Sequence, residues 1–348
     1  MAVVTIIGAG MMGSALAFPA RENGHTVRLV GTALDRDIIR ACRADNRHPK
    51  FDREFPAGIS FHQVEEMEDA IDGADMIIGG ISSFGVEWFS EEVLPLIPET
   101  TPVLTVTKGL FHDGRGHLIN YPAYWKARLR EKGLMRTLCA VGGPCTSYEL
   151  VAHDDSVVTF CGEEPDALRF LKSVMQTSYY HIQLSEDLPG VEASVALKNG
   201  YALAVALTIG LNQRRFGEDS PLHYNSQAAV FGQSVREMSY LMSLLGVSSL
   251  DSLCVGTGDL YVTVYGGRTR LVGILLGRGF TISEAKEKLQ GVTLESLVVT
   301  ERVYDAVSIL AAEGKADLNR LPLLVRIGRL LRGECDARIP WDLFRTDD

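Results

Sequence analysis

The sequence predicts two parts: an α/β domain built on a doubly wound parallel sheet, then an all-α helical domain. Three observations predict this. In the first half, short runs rich in Val and Ile alternate with helix-periodic segments. The first run closes on a glycine-rich turn, Gly8-Ala9-Gly10-Met11-Met12-Gly13. After Glu186–Gly190 the periodicity becomes almost wholly helical.

Taken in order, "VVTIIGAG" reads as a strand and "MMGSALAFPARENG" as the helix after it. Pro19 removes a backbone donor inside that helix, so a kink is expected, and Gly24 suits the helix end. The strands "HTVRLVG", "ADMIIGGIS", "TPVLTVTKG" and "TLCAVGGP" follow, with "SVVTFCG" beyond them. Such continuous apolar runs, separated by crossovers, imply strands buried on both faces. Helices are expected at Val191–Leu211, Ser226–Gly246, Ser283–Gln290, Leu294–Ala312 and Leu321–Arg332. The boundary falls near Asp187–Gly190, giving domains of 1–187 and 188–348. No linker separates them, and a cleft between domains is a common ligand site.

Composition narrows the function. The chain has 348 residues, 46% hydrophobic and 22% charged, with a formal net charge of −10. That balance suits a soluble protein and argues against a nucleic-acid surface, which needs concentrated cations to neutralise phosphates. Six cysteines lie at Cys42, Cys139, Cys145, Cys161, Cys254 and Cys335, without zinc-like spacing. They point to a reducing cytoplasm rather than a disulfide framework. The eight histidines show no ligand spacing either, so no metal is expected. The N-terminus has no basic region of the kind a signal peptide carries. Val191–Leu211 is the one stretch apolar enough to suggest a membrane span, but Glu192 and Lys198 interrupt it, and a core helix is the better reading.

The glycine turn carries the first chemistry. Gly8 permits a tight turn, Gly10 lets a pyrophosphate approach the backbone, and Gly13 lets helix and strand pack closely. The helix N-terminus adds unpaired N–H groups for phosphate. Following a strand and opening a helix, this is a Rossmann-type dinucleotide fingerprint. At the end of the second strand Gly31 and Thr32 stand where an NAD site usually has an acid. Thr32 can bond a ribose hydroxyl, Asp35 repels a 2′-phosphate, and Arg36 would attract one. NAD is favoured, with NADP left open.

Ligands of such sheets bind beyond the carboxyl ends of the strands. Three ends carry polar or special residues: Ser82–Ser83, Lys108, and Gly142–Cys145. Lys108 either reaches solvent along its stem or faces the crevice as a cation; the crevice is favoured. Cys145 has no evident His or acidic partner beside it and reads as a small wall residue. The acidic run "VEEMEDAIDGAD" reads as a solvated helix face.

The central puzzle is "VEASVALKNGYALAVALTIGL", where Lys198 and Asn199 interrupt a segment built for burial. Burying an unpaired ammonium costs several kcal/mol or shifts its pKa. A lysine among Ala, Leu and Val is pulled toward values useful for proton transfer near neutrality. A structural lysine paired with a carboxylate such as Glu192 is the alternative.

With these residues set out, the sequence resembles the NAD(P)-dependent glycerol-3-phosphate dehydrogenases over nearly its whole length. The likeness rests on "GAGMMGSALA", "TKGL", "GGP", "ALKN" and "GTGDLYVTVYGGRTR", in that order. It implies reversible reduction of dihydroxyacetone phosphate to sn-glycerol 3-phosphate, a Rossmann domain, a helical second domain and a homodimer. It makes Lys198 the catalytic acid/base, with Lys108 and Asp259 catalytic beside it. Gly143, Cys145, Asn199, Thr263, Arg268 and Thr269 match substrate positions, Arg268 gripping phosphate. Met11, Met12, Thr32, Ser82, Lys108, Ser147, Arg268 and Glu295 match cofactor positions, with Gly8, Gly10 and Gly13. Three departures stand out. Thr269 replaces the usual Asn, so a hydroxyl or Arg270 must supply the lost donor. Cys145 replaces Ser or Thr, and Leu294-Glu295-Ser296 replaces Val-Glu-Gly. Two other readings remain: a 3-hydroxyacid or ketopantoate-type reductase, and a dinucleotide-binding sensor without turnover.

Overall fold

The computed structural model describes residues 1–290 and 294–344. The chain forms two compact units. The first comprises Met1–Lys108 and Tyr121–Leu188; the second takes in Gly109–Asn120 and the chain from Pro189 on.

The first unit follows the alternation seen in the sequence. β1 (Val3–Ile7), α1 (Met11–Glu22), β2 (Thr26–Val30), α2 (Arg36–Asp45) and β3 (Ile59–His62) lead into α3 (Met67–Ile71) and β4 (Met76–Gly79). A single turn, α4 (Val86–Trp88), precedes β5 (Val103–Thr105). The chain then forms β6 (Leu110–His112) and β7 (Leu118–Asn120), an antiparallel hairpin of the second unit. It returns through α5 (Tyr121–Glu131), β8 (Leu138–Gly142), α6 (Ser147–Val151), β9 (Ser156–Cys161), α7 (Pro165–Met175) and β10 (Tyr180–Ser185).

The sheet order is β10-β9-β8-β5-β4-β1-β2-β3. From β3 to β8 every neighbouring pair is parallel. Strand order reverses between β1 and β4, the kind of switch point where doubly wound sheets take ligands. Val4, Ile6, Leu29, Met76, Ile78 and Leu104 are wholly buried, as the apolar runs require.

The structure departs from the expected all-parallel sheet at one edge, where β9 runs antiparallel to β8. Only the short α6 lies between them, too little for a crossover, whereas α7 carries β9 over to a parallel β10. Helix α1 continues through Pro19 and ends at Asn23, with Gly24 in the left-handed region at φ 82°. The acidic run is only partly a solvated face. Met67, Ala70 and Ile71 are buried, while Glu65 and Glu66 pair with Arg36 and Arg43 of α2.

The second unit is helical: α8 (Leu188–Phe216), α9 (Tyr224–Leu244), α10 (Leu250–Gly266), α11 (Arg268–Arg278), α12 (Ile282–Lys288), α13 (Glu295–Ala312) and α14 (Pro322–Leu331). Helix α8 is long and apolar enough to cross a membrane by composition, yet 83% of its most apolar window is buried within the protein. Small residues on α8 and on its neighbours let three helices pack closely on it. A Cβ at Gly273 of α11 would lie 2.6 Å from the Leu203 oxygen, and one at Gly256 of α10 would lie 2.6 Å from the Ser194 Cβ. A Cβ on Gly200 of α8 itself would lie 2.9 Å from Thr300 of α13. The β6–β7 hairpin joins this unit through α13, where Arg302 donates to the Leu110 carbonyl at 3.1 Å and covers the Phe111 ring.

A buried carboxyl ties three of these helices together. Glu237 of α9 accepts from Leu323 N at 2.8 Å and Leu324 N at 3.0 Å in the first turn of α14. Gln233 and the Tyr201 hydroxyl of α8 also donate to it. Burial pushes this carboxyl up to about 7, against the pull of its four donors. A raised carboxyl favours the protonated folded form, so its contribution fades as pH rises from the ordinary value of 4.5 through about 7. Glu237→Gln should therefore flatten the fall in melting temperature across that window, measured by thermal denaturation at several pH values. An undiminished fall in the variant would place the titrating group elsewhere.

Candidate active site

Because β2, β1, β4, β5 and β8 are parallel, their carboxyl ends share one edge. That edge gathers the glycine turn, Thr32, Ser82, Lys108, Gly143 and Cys145. Gly8 sits at φ 110°, a conformation that disfavours any side chain. A Cβ at Gly13 would overlap the Gly8 carbonyl oxygen, and one at Gly8 would lie 2.6 Å from the Gly80 oxygen. Gly80, which the sequence reading passed over, thus lets the β1 and β4 ends meet. A Cβ at Gly10 would meet only the Gly80 oxygen, at 3.7 Å. The space over Gly10 is open, as a pyrophosphate approaching the backbone requires. Gly10 caps the N-terminus of α1, and Met11 and Met12, half-buried, form its first turn. This cradle fits a dinucleotide.

At the end of β2 the expected Thr32 contact is recast. Its hydroxyl donates to Asp35 Oδ2 at 2.7 Å and accepts from Leu34 N. The same carboxylate oxygen accepts from Thr32 N at 2.9 Å and Ala9 N at 3.2 Å. Asp35 thus brings a carboxylate beside the strand end, three residues past the position where an acid was missing. Arg36, the candidate for a 2′-phosphate, is paired with Glu65.

Along the same edge, Ser82 is exposed, and Lys108 is half-buried just past β5. Thr107, next to it, donates its hydroxyl to the Ile81 carbonyl at 2.8 Å, tying the β5 and β4 ends together. Gly143, at φ 115°, turns the chain after β8. Cys145 is half-buried, and Ser147 begins α6. The Glu295 side chain lies outside the described residues.

The second unit holds the lysine. Lys198, on α8, forms an ion pair with Asp259 of α10. Lys198 is 8% exposed and Asp259 2%. Neither is a surface charge, and Asp259 lies mid-helix rather than at a cap. Helix α10 is capped by Ser249, whose hydroxyl accepts from Ser252 N at 3.1 Å. Asp259, Thr263 and Gly267 then follow at helical spacing, and the Thr263 hydroxyl donates to the Asp259 carbonyl at 2.7 Å. Gly267 ends α10 and caps α11, whose first residue is Arg268. Arg268 is exposed and Thr269 is 4% exposed, so Arg268 is the more open of the two to an incoming anion. Arg270 Nε is buried without an acceptor among the described residues. Asn199 is half-buried beside Lys198. Among the described residues no group of His, Cys, Asp or Glu is placed to hold a metal.

Fold and site together define a dinucleotide-dependent oxidoreductase with a lysine–carboxylate pair in a helical second unit. Family profiles agree in both parts. The N-terminus of NAD-dependent glycerol-3-phosphate dehydrogenase matches residues 3–167, and the C-terminus of the same family matches residues 187–339. An NADP(+)-dependent glycerol-3-phosphate dehydrogenase from Archaeoglobus fulgidus is 31% identical over 90% of this chain and 92% of its own. A glycerol-3-phosphate dehydrogenase structure from Plasmodium falciparum superposes with a TM-score of 0.84 at 18% identity, covering 100% of this chain and 96% of that one. One from Coxiella burnetii gives 0.80 at 22% identity, covering 99% of each. The chain belongs to the NAD(P)-dependent glycerol-3-phosphate dehydrogenase family, which displaces the ketopantoate-type alternative.

The pair depends on how closely α10 lies on α8. Gly256 sits one turn before Asp259, and Ser194 one turn before Lys198. Gly256→Ala should destabilise the protein by about 1–3 kcal/mol through overpacking, read as a lower urea midpoint. An unchanged midpoint would mean the two helices part without cost.

Proposed function

We propose that this chain reversibly reduces dihydroxyacetone phosphate to sn-glycerol 3-phosphate with NADH or NADPH. The observation that carries the reading is the buried Lys198–Asp259 ion pair, set in a chain of this family. A dinucleotide, when bound, supplies the hydride for the carbonyl carbon. The glycine turn and the first turn of α1 hold its pyrophosphate. As negative charge grows on the carbonyl oxygen, the Lys198 ammonium gives it a proton and becomes a neutral amine. In the oxidative direction the amine takes the hydroxyl proton back. Asp259 keeps the ammonium oriented, and its fixed charge offsets the cost of burying that cation. Lys108 and Asn199 are assigned to the substrate's polar groups.

Arg268 is assigned the phosphate, by a bidentate contact at the start of α11, where the helix N-terminus also favours an anion. The buried Arg270 Nε supports an anion here, since it has no acceptor of its own among the described residues. The donor lost with the family's Asn is assigned to Arg270 rather than to the buried Thr269 hydroxyl. The family likeness also carries a homodimer, a cytoplasmic location and a supply of glycerophospholipid precursors as expectations. The helical substrate-binding domain is taken to begin at residue 188.

The first test is turnover of NADH and NADPH with dihydroxyacetone phosphate. Binding of dinucleotide without turnover would favour the sensor reading. Lys198→Ala should lower kcat by about a hundredfold or more while dinucleotide affinity holds; undiminished kcat would remove Lys198 from the chemistry. Arg268→Ala should mainly raise KM for the phosphorylated ketone, and an unaltered KM would move the phosphate elsewhere.

A further inference from the structure

His48 has no part in the chemistry above, yet it is 1% exposed and reaches the glycine turn from 39 residues away. It lies beyond α2, packed on the Phe51 ring at 4.6 Å between centroids. Both ring nitrogens are engaged. Lys50 N donates to Nδ1 at 3.1 Å. Nδ1 therefore carries no proton, and in the neutral ring Nε2 does. Nε2 lies 3.2 Å from the Ala9 carbonyl oxygen and donates to it. The wholly buried Ser14 hydroxyl donates to the same oxygen at 3.2 Å. On the other side of the residue, Ala9 N donates to Asp35.

These contacts fix the orientation of the Ala9–Gly10 peptide. The bond is trans and planar, so the Ala9 carbonyl and the Gly10 N–H point in opposite directions. Two buried donors draw the carbonyl inward. The Gly10 N–H is thereby turned outward, over the residue whose surroundings are open. We propose that His48 is a positioning residue for the dinucleotide, holding the Ala9 carbonyl so that the Gly10 amide meets the pyrophosphate. Ser14 supports the same carbonyl. The inference rests on the dinucleotide reading of the turn but not on the identity of the substrate.

The experiment is fluorescence titration of NADH into the full-length protein without substrate. His48→Phe keeps the ring volume against Phe51 and removes the donor. His48→Gln restores an N–H near the Nε2 position. The first should raise Kd for NADH about tenfold, the second no more than about threefold, on the usual worth of one hydrogen bond. With saturating dinucleotide, kcat should stay within about twofold for both. Ser14→Ala, a smaller change, should raise Kd about threefold and decides the matter should His48→Phe not fold. Wild-type affinity in folded His48→Phe, or in Ser14→Ala if that arm decides, overturns the positioning role. A wild-type chain that binds neither NADH nor NADPH overturns the dinucleotide reading instead.

Discussion

A buried ion pair between two helices organises the second unit. Removing Lys198 and Asp259 from water is costly, and their attraction repays it only when the geometry is good. The helices supply that geometry through what they lack. Gly256 lets α10 lie on α8 one turn away from the pair, and Gly273 seats α11 on α8 further along. Because α11 begins immediately after α10, the placement that sets Asp259 also sets Arg268. Small residues on α8 and on its neighbours thus let α10, α11 and α13 pack closely on the helix that carries Lys198. A helix of larger apolar residues would bury just as well but hold its partners farther off.

Much of the first unit was legible because β1, β2, β4, β5 and β8 are buried on both faces and so read as apolar runs. Besides the short β6–β7 hairpin, the strands that escaped are β3 and β10 at the two sheet edges, where "ISFH" and "YHIQLS" mix exposed polar residues with buried ones. In the second unit α10 and α11 went unassigned, although they carry Asp259 and Arg268. Their sequence, "GTGDLYVTVYGGRTR", is rich in Gly, Thr and Val, poor helix formers. Tertiary contact overrides that preference, and Gly256 at least serves the approach to α8.

The site shows the same division. The glycine turn and Lys198 stand out locally, one by spacing and the other by its contrast with an apolar surround. Asp35, Gly80 and His48 do not. Each acts on a backbone group far away in sequence, and no short pattern in "DNRHPKF" announces that a ring nitrogen reaches Ala9.

The central claim is that an amine at position 198 hands a proton to the substrate. Chemical rescue tests it most directly: Lys198→Ala supplied with small primary amines of graded basicity, and dihydroxyacetone phosphate reduction followed by NADH oxidation. The account predicts that added amine restores rate in proportion to its concentration, with a dependence on amine basicity. Full wild-type turnover in the variant with no amine present would contradict it.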